Sequence, residues 1–398
     1  VVLRYRARAA ARRGEGGSSA AAWSRQRLAL VGGEDRLVPL QYFPGGLQNP
    51  YLRLLYSRLP ETGFVAGPLG HYEALEDAPG RSVFHLHWTR VFQVGVGSER
   101  EAERQTARYL ERIERFLGRG GRLVWSIHEA LPHDCEYPAV EVAARRRLVE
   151  MAAGVHVLHE GTVAEVADRY ALDPAKTFVV EHPLYDGAYP DYVTREAARM
   201  LLGLAPDDVL LLGFGAIRPY KGFDRLIAMV PRLRRETGLA VRVTVAGPTF
   251  KSVDVAPLRA AATAADGVAI ATEAIPDEHV QVLFRAADVA VLPYRRVLNS
   301  GVLMLALTFG TPAVAPENAV TREAASSGLV HLFEASSDDD LARAVLEAVG
   351  RRHRRGELPA DFRARYDPTS IAGEFARQLQ HRLLTEPGGP ARKDSAAS

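Results

Sequence analysis

The sequence predicts an α/β protein of two doubly wound, Rossmann-like domains with a cleft between them. Strand-like and helix-like segments alternate along most of the chain, the pattern of parallel sheets covered on both faces. The alternation lapses once, at "LYDGAYPD" (184–191), and then restarts. A length of 398 residues exceeds what one ordinary core supports, so the lapse reads as a domain boundary.

The first domain opens at "RLVPLQYFP" (36–44), an apolar run suited to a buried strand. "GGLQNP" breaks it, and "PYLRLLYSRL" (50–59) follows as a helix with Asn49 as its cap and proline in its first turn. "RSVFHLHW" (81–88) is a second buried strand. In "SEREAERQTARYLERIERFLGRGG", Ser98 and Glu101 have capping-box spacing, and Tyr109, Leu110, Ile113, Phe116 and Leu117 form one apolar stripe. Its many charges read as a solvated outer face. "RLVWSIH" is a strand running into the loop "EALPHDCEYP". A helix near 140–153, the strand "GVHVLH", a helix near 161–170 and the strand "TFVVEHP" complete this half.

The second domain begins with "DVLLLGFGAI", a strand entering a glycine turn. "GFDRLIAMVPRLRRE" (222–236) reads as one helix, "AVRVTVAGP" and "VAIATEAI" as strands, and "HVQVLFRAA" as a helix. "DVAVLPY" is a strand, "SGVLMLALTFG" a buried helix ended by Gly310, "TPAVAP" a strand and "DDDLARAVLEAVGRR" a helix. Ile371, Phe375, Leu379 and Leu383 mark a last amphipathic helix. The expected division is 1–35 as a flexible basic extension, 36–187 as the first domain, 188–366 as the second, 367–385 as a helix crossing back to the first, and 386–398 as a disordered tail.

Bulk composition narrows the function classes. A formal net charge of +2 argues against a dedicated nucleic-acid binder. The charge is uneven: residues 1–36 hold eight arginines against Glu15, Glu34 and Asp35, so a basic arm on anionic lipid stands beside the flexible-extension reading. No apolar run reaches membrane-span length, and no secretory h-region follows the early arginines. The expectation is a cytoplasmic protein with peripheral membrane contact as an option. Cys135 is the sole cysteine, which excludes an intrachain disulfide and disfavours a cysteine-based zinc site. Only four lysines occur in this arginine-rich chain, and Lys221 is one of them.

In doubly wound sheets ligands sit beyond the carboxyl ends of strands. After "LLLGFG" the chain turns at Gly215 and offers Arg218 and Lys221 just before a helix, an arrangement suited to a diphosphate. The alternative is two solvated turn cations paired with a carboxylate such as Asp224. In "LPYRRVLNSGVLMLALTFGTPAVAP" (292–316), Asn299 or Ser300 caps a helix too apolar to be exposed, and Gly301 lets another group approach the backbone. That helix start offers unpaired N–H groups to an anion. In the first domain "HLHW" (His85, His87, Trp88) and "WSIHEALPHD" (Trp125, His128, Glu129, His133, Asp134) follow strands and are expected at the cleft. His128 and Glu129 have the chemistry to bond a sugar or move a proton. Four histidines without a close helical pair make a poor metal site, so none is expected.

With these motifs in this order, residues 36–384 resemble a GT-B fold glycosyltransferase, most closely the large family 4 of nucleotide-sugar-dependent transferases and its bacterial exopolysaccharide relatives. The carrying motifs are "NPYLRLLYSRL", "WSIHEALPHD", "GAIRPYKG" and "LPYRRVLNSGVLMLALTFGTPAVAP". The resemblance implies that Arg218 and Lys221 hold the donor diphosphate, with Gly215 in the turn and the Asn299–Ser300–Gly301 helix start giving backbone N–H groups. It implies that His128 contacts the donor sugar, that the base lies near Ile275 and Glu278, and that no metal or other cofactor is needed. One departure stands out. Many members carry two glutamates where this chain has Val297 and Leu305, so the ribose and sugar contacts of those residues do not carry over.

The expected activity is transfer of a hexose from a UDP- or GDP-sugar to a hydroxyl acceptor on a glycolipid, polysaccharide or small natural product. Retention is the favoured course. Inversion, with Glu129, Asp134 or His128 as base, is the alternative. A sugar-nucleotide epimerase would need converging carboxylates that the sequence lacks, and a catalytically inactive partner subunit would keep the fold without the chemistry. A dehydrogenase lacks its G-x-G-x-x-G fingerprint after the first strand.

Overall fold

In a computed structural model the described residues are 37–44, 49–132, 135–250 and 253–384. The expected basic extension and C-terminal tail lie outside them, as do His133, Asp134 and Lys251. The chain divides into two compact units, one holding His182–Pro368 and the other the residues up to Glu181 together with those from Thr369 onward.

The unit ending at Glu181 is built on six parallel strands: β1 (Val38–Phe43), β2 (Phe64–Pro68), β3 (Val83–Leu86), β4 (Arg122–Ile127), β5 (Gly154–Val157) and β6 (Thr177–Val179). Their order is β2-β1-β3-β4-β5-β6. β3 and β5 are buried at every position and β4 at all but its first, the signature of strands covered on both faces. The Pro368–Leu383 helix belongs to this unit. Its Ile371, Phe375 and Leu379 are buried, and Phe375 stacks on His85 with centroids 5.5 Å apart.

The other unit also holds six parallel strands: β7 (Val209–Phe214), β8 (Val241–Ala246), β9 (Val268–Ala271), β10 (Val289–Val291), β11 (Ala313–Pro316) and β12 (Val330–Phe333). Their order, β12-β11-β10-β7-β8-β9, is that of a dinucleotide-binding sheet, reversing direction between β7 and β10. β9 lies at the edge and alternates half-buried with exposed residues, because only one face is covered.

Several local expectations are corrected. The segment 222–236 forms two helices, Phe223–Ala228 and Val230–Thr237. Pro231 has no N–H for the carbonyl four residues back, and its ring crowds that carbonyl. The helix expected over 50–59 spans Pro50–Leu55 and stops there. The capping box closes one residue early: Ser98 accepts the Glu101 N–H at 3.3 Å, but the Glu101 carboxylate takes the Gly97 N–H at 2.9 Å. Two strands escape the sequence reading, β2 and β12, and both are edges. In β2 a glycine and a proline read as a turn, yet an edge strand tolerates proline at its end. The helices Arg195–Leu201 and Ala256–Ala264 also escape it. Among the described residues no helix is long and apolar enough to cross a membrane.

Candidate functional site

The reversal point between β7 and β10 brings two connections together at their carboxyl ends. Gly215, just past β7, has φ of 95°, a backbone that favours glycine. A Cβ there would lie 2.7 Å from Lys221 Nζ and 3.4 Å from Val302 Cγ2. The turn after β7 is thus packed directly against Lys221 and against the first residues of the Gly301–Thr308 helix.

Lys221 closes a single 3-10 turn, Pro219–Lys221, and is only 7% exposed. Its ammonium lies 5.3 Å from the centre of the Tyr294 ring. Burial, reinforced by the Arg218 charge, lowers its pKa to about 8. Among the described residues no carboxylate forms an ion pair with it. Asp224, the local acid considered from sequence, is instead bound by Arg295 at 2.8 Å. Arg218 is half-buried, its guanidinium carbon 3.8 Å from the centre of the Phe250 ring. At that distance the cation is attracted to the aromatic face.

Ser300, not Asn299, caps the Gly301–Thr308 helix by accepting the Leu303 N–H at 3.3 Å. The Ser300 side chain also bonds to Tyr294, a buried phenol whose pKa burial raises. A Cβ on Gly301 would meet Tyr185 Oη at 2.7 Å and His182 Nε2 at 3.3 Å. The glycine therefore admits a close approach, as expected, but the groups nearest it belong to the protein. Tyr185 is anchored in turn by its N–H to Thr308 Oγ1 at 2.8 Å, and burial lowers the His182 pKa to about 4. Neither residue was singled out from sequence: His182 closes the strand-like run "TFVVEHP", and Tyr185 sits in the stretch without periodicity.

The remaining residues of this unit are spread out. Ile275 is half-buried in the connection after β9, and Glu278 is exposed in the first turn of the Asp277–Ala286 helix, two strands away from β7. Leu305 is buried in the helix body, and the Val297 carbonyl takes the Asn318 side-chain N–H at 2.9 Å.

In the other unit the histidines gather at the ends of β3 and β4. His128 follows β4 and is half-buried. Its Nε2 lies 2.9 Å from His87 Nδ1, the Trp88 ring stacks on it with centroids 4.5 Å apart, and Tyr51 meets it edge-on at 5.5 Å. Such packing fixes the ring plane. Among the described residues no cluster of His, Cys, Asp and Glu has the geometry to hold a metal ion. His85 and Trp125, expected at the cleft, do not stand at strand ends. Both lie inside strands and are fully buried, Trp125 against Tyr170 and the Arg145 guanidinium.

Arg145, on the Pro138–Met151 helix, reaches under this loop. It is buried and paired with Glu141 at 2.8 Å, and it donates to the carbonyls of Glu129 at 2.7 Å and Ala130 at 3.0 Å. It also bonds Thr89 and Tyr170. The backbone of Glu129 is thus pinned from below. Nothing in the sequence marked this arginine among so many.

A family model described as "Glycosyl transferases group 1" matches residues 208–351. A D-inositol 3-phosphate glycosyltransferase of Stackebrandtia nassauensis is 32% identical over 379 residues, 89% of this chain and 81% of the relative. A GDP-mannose:glycolipid 4-beta-D-mannosyltransferase of Xanthomonas campestris pv. campestris is 29% identical over 327 residues, 79% of this chain and 84% of the relative. Among solved structures, Anabaena Alr3699/HepE in complex with UDP-glucose shares the fold with a TM-score of 0.67 at 14% identity, over 87% of this chain and 100% of that one. WaaG, a glycosyltransferase involved in lipopolysaccharide biosynthesis, does so with a TM-score of 0.53 at 17% identity, over 88% of this chain and 96% of that one.

Proposed function

The chain belongs to the group 1 glycosyl transferases of the GT-B fold, a nucleotide-sugar-dependent glycosyltransferase, and we propose that it moves a hexose from a UDP- or GDP-sugar to a hydroxyl acceptor without a metal ion. The observation that carries this reading is Lys221, a buried ammonium without a carboxylate partner among the described residues, set against Gly215 and a Ser300-capped helix start. A buried cation is costly unless an anion meets it. The diphosphate of the donor supplies that anion.

In this mechanism Lys221, Arg218 and the free N–H groups at Gly301 and Val302 offset the charge that builds on the departing diphosphate. Asn299 lines the same helix start. His128 orients the donor hexose, Glu129 flanks it, and the nucleotide base rests near Ile275 and Glu278. The course proposed is retaining, with the acceptor hydroxyl entering on the face that the diphosphate leaves. The acceptor is a glycolipid, polysaccharide or small natural product. The mannosyltransferase relative, named for a GDP-mannose donor and a glycolipid acceptor, supports the first.

A thermal-shift panel of nucleoside diphosphates and their sugars tests the donor assignment, because a ligand that binds only the folded state raises Tm. One UDP- or GDP-sugar should raise it, with or without EDTA. Lys221→Ala and Arg218→Ala should each lose the rise. Variants that keep the parent's full shift would remove the diphosphate from this corner.

A further inference from the structure

The connection 292–300 joins β10 to the Gly301–Thr308 helix. Its first residues are fastened to the turn that carries Lys221. The Arg295 N–H donates to the Tyr220 carbonyl at 2.8 Å, and Arg225 Nη1 donates to the Pro293 carbonyl at 3.2 Å. Arg295 Nη2 donates to the Asp224 carboxylate at 2.8 Å. A Cβ on Gly222 would strike the Pro293 carbonyl oxygen, so the residue after Lys221 lets the two backbones meet. The last residue of the same connection, Ser300, caps the helix whose start faces Gly215.

Tyr294 stands among these ties and is buried. Its ring faces the Lys221 ammonium at 5.3 Å and meets the Tyr220 ring edge-on at 6.1 Å. Its hydroxyl bonds the Ser300 side chain at the far end of the connection. Ser300 accepts the Leu303 N–H at 3.3 Å in its turn. A phenol suits both contacts, since its face attracts a cation and its tip makes a hydrogen bond. One side chain thus touches the cation that follows β7 and the cap that follows β10. A lysine stem is flexible and does not aim its own ammonium, so the groups around it must do so.

We infer that Tyr294 is a positioning residue of the donor site, whose ring holds the Lys221 ammonium and whose hydroxyl holds the Ser300 cap, so that both phosphate-binding features keep one separation. Its action passes through Lys221 and Ser300. The inference rests on the diphosphate reading given under Proposed function, whereas the contacts of Tyr294 do not. Donors that are fixed before the ligand arrives need no reordering when it binds, which is where the gain in affinity comes from.

Calorimetric titration of the full chain with UDP and with GDP reads the effect on whichever nucleotide the parent binds. Tyr294→Phe keeps the ring on the ammonium and deletes the bond to Ser300, so Kd should rise about two- to tenfold, the worth of one hydrogen bond. Ser300→Ala should also weaken binding, and adding Tyr294→Phe to it should cost nothing more. Ser300→Thr keeps a hydroxyl at the cap. It should bind as the parent does, and in that background Tyr294→Phe should again weaken binding. Loss of packing alone would weaken it in every background. Tyr294→Leu removes the aromatic face as well and should bind less tightly than Tyr294→Phe. The near-isosteric phenylalanine keeps the test decisive even where leucine unfolds the protein. Parent affinity in Tyr294→Phe, or the same loss from it with and without the Ser300 hydroxyl, overturns the inference; if Lys221→Ala still abolishes binding, the diphosphate reading stands. Nucleotide binding that survives Lys221→Ala at the parent Kd removes the diphosphate from this corner, and the inference with it.

Discussion

Arg145 Nη1 donates to the carbonyl oxygen of Glu129 at 2.7 Å while Arg145 Nε donates to the Glu141 carboxylate at 2.8 Å, so one buried guanidinium ties the loop carrying His128 and Glu129 to a helix beneath it. Removing one partner of a buried pair strands the other. Glu141→Ala should therefore cost about 3–5 kcal/mol in urea unfolding. Arg145→Lys should recover little, because an ammonium cannot serve Glu141, Thr89, Tyr170 and two carbonyls from one plane. Both variants should lose transfer activity more steeply than stability predicts at a temperature where they remain folded.

With the donor diphosphate proposed to lie on Lys221, the lowered pKa of that ammonium predicts a pH-dependent donor affinity. In the free protein the ammonium is mostly charged below about 8 and mostly neutral above it. An anion binds the charged form, so binding takes up a proton above that pH. Donor Kd should be flat from pH 6 to 7.5 and weaken toward about tenfold per pH unit beyond 8.5. Lys221→Met should bind weakly at every pH and show no such slope. Calorimetric titrations across this range check both statements.

At Gly301 the closeness of Tyr185 makes a strong prediction. Gly301→Ala puts a methyl 2.7 Å from Tyr185 Oη, so the helix start or the tyrosine must move, at a cost of about 1–3 kcal/mol. Tyr185→Phe removes that oxygen. The double variant should therefore be more stable than the sum of the two single losses, and a double-mutant cycle by thermal melting measures the coupling. Strict additivity would mean the two residues do not touch.

The thiol of Cys135 should be inert. Burial is the main cause that raises its pKa to about 11, with the Glu141 charge adding to it. At pH 8 roughly one molecule in a thousand carries the thiolate, the form that alkylating reagents attack. Iodoacetamide should leave the folded protein unlabelled over the time in which urea-unfolded chain reacts fully, as intact mass spectrometry would show.

Much of this architecture was readable because buried parallel strands are written as continuous apolar runs. "DVLLLGFGAI", "RLVWSIH" and "TPAVAP" announce β7, β4 and β11 by composition alone. The edges were not readable: β2 ends in a glycine and a proline that mimic a turn, and none of the first three residues of β12 is fully buried, so its apolar signal is weak. Lys221 could be picked out because it follows a strand and a positive-φ glycine. Tyr185 and Arg145 could not, because the first sits in a turn and the second is one arginine among many on helices. What distinguishes them is which distant backbone they touch, and periodicity carries no such information. The histidines show the same limit: His85, His87 and His128 stood out in sequence, whereas Tyr56 meets His85 and His87 from a helix end and Ser126 meets His85 from the neighbouring strand.

The Pro368–Leu383 helix has a consequence for how the chain is made. It emerges from the ribosome after every strand of both sheets, yet Phe375 covers His85, and its ring lies 5.2 Å from that of His156. Among the described residues the unit containing Lys221 is one stretch, His182–Pro368, and that stretch is complete earlier. The half synthesised first is thus the last to be sealed, and until that moment the His85 and His156 rings lack their Phe375 cover. A nascent chain halted at residue 367 would hold a finished second sheet while the first still lacked its closing helix, reversing the amino-to-carboxyl order in which domains ordinarily mature.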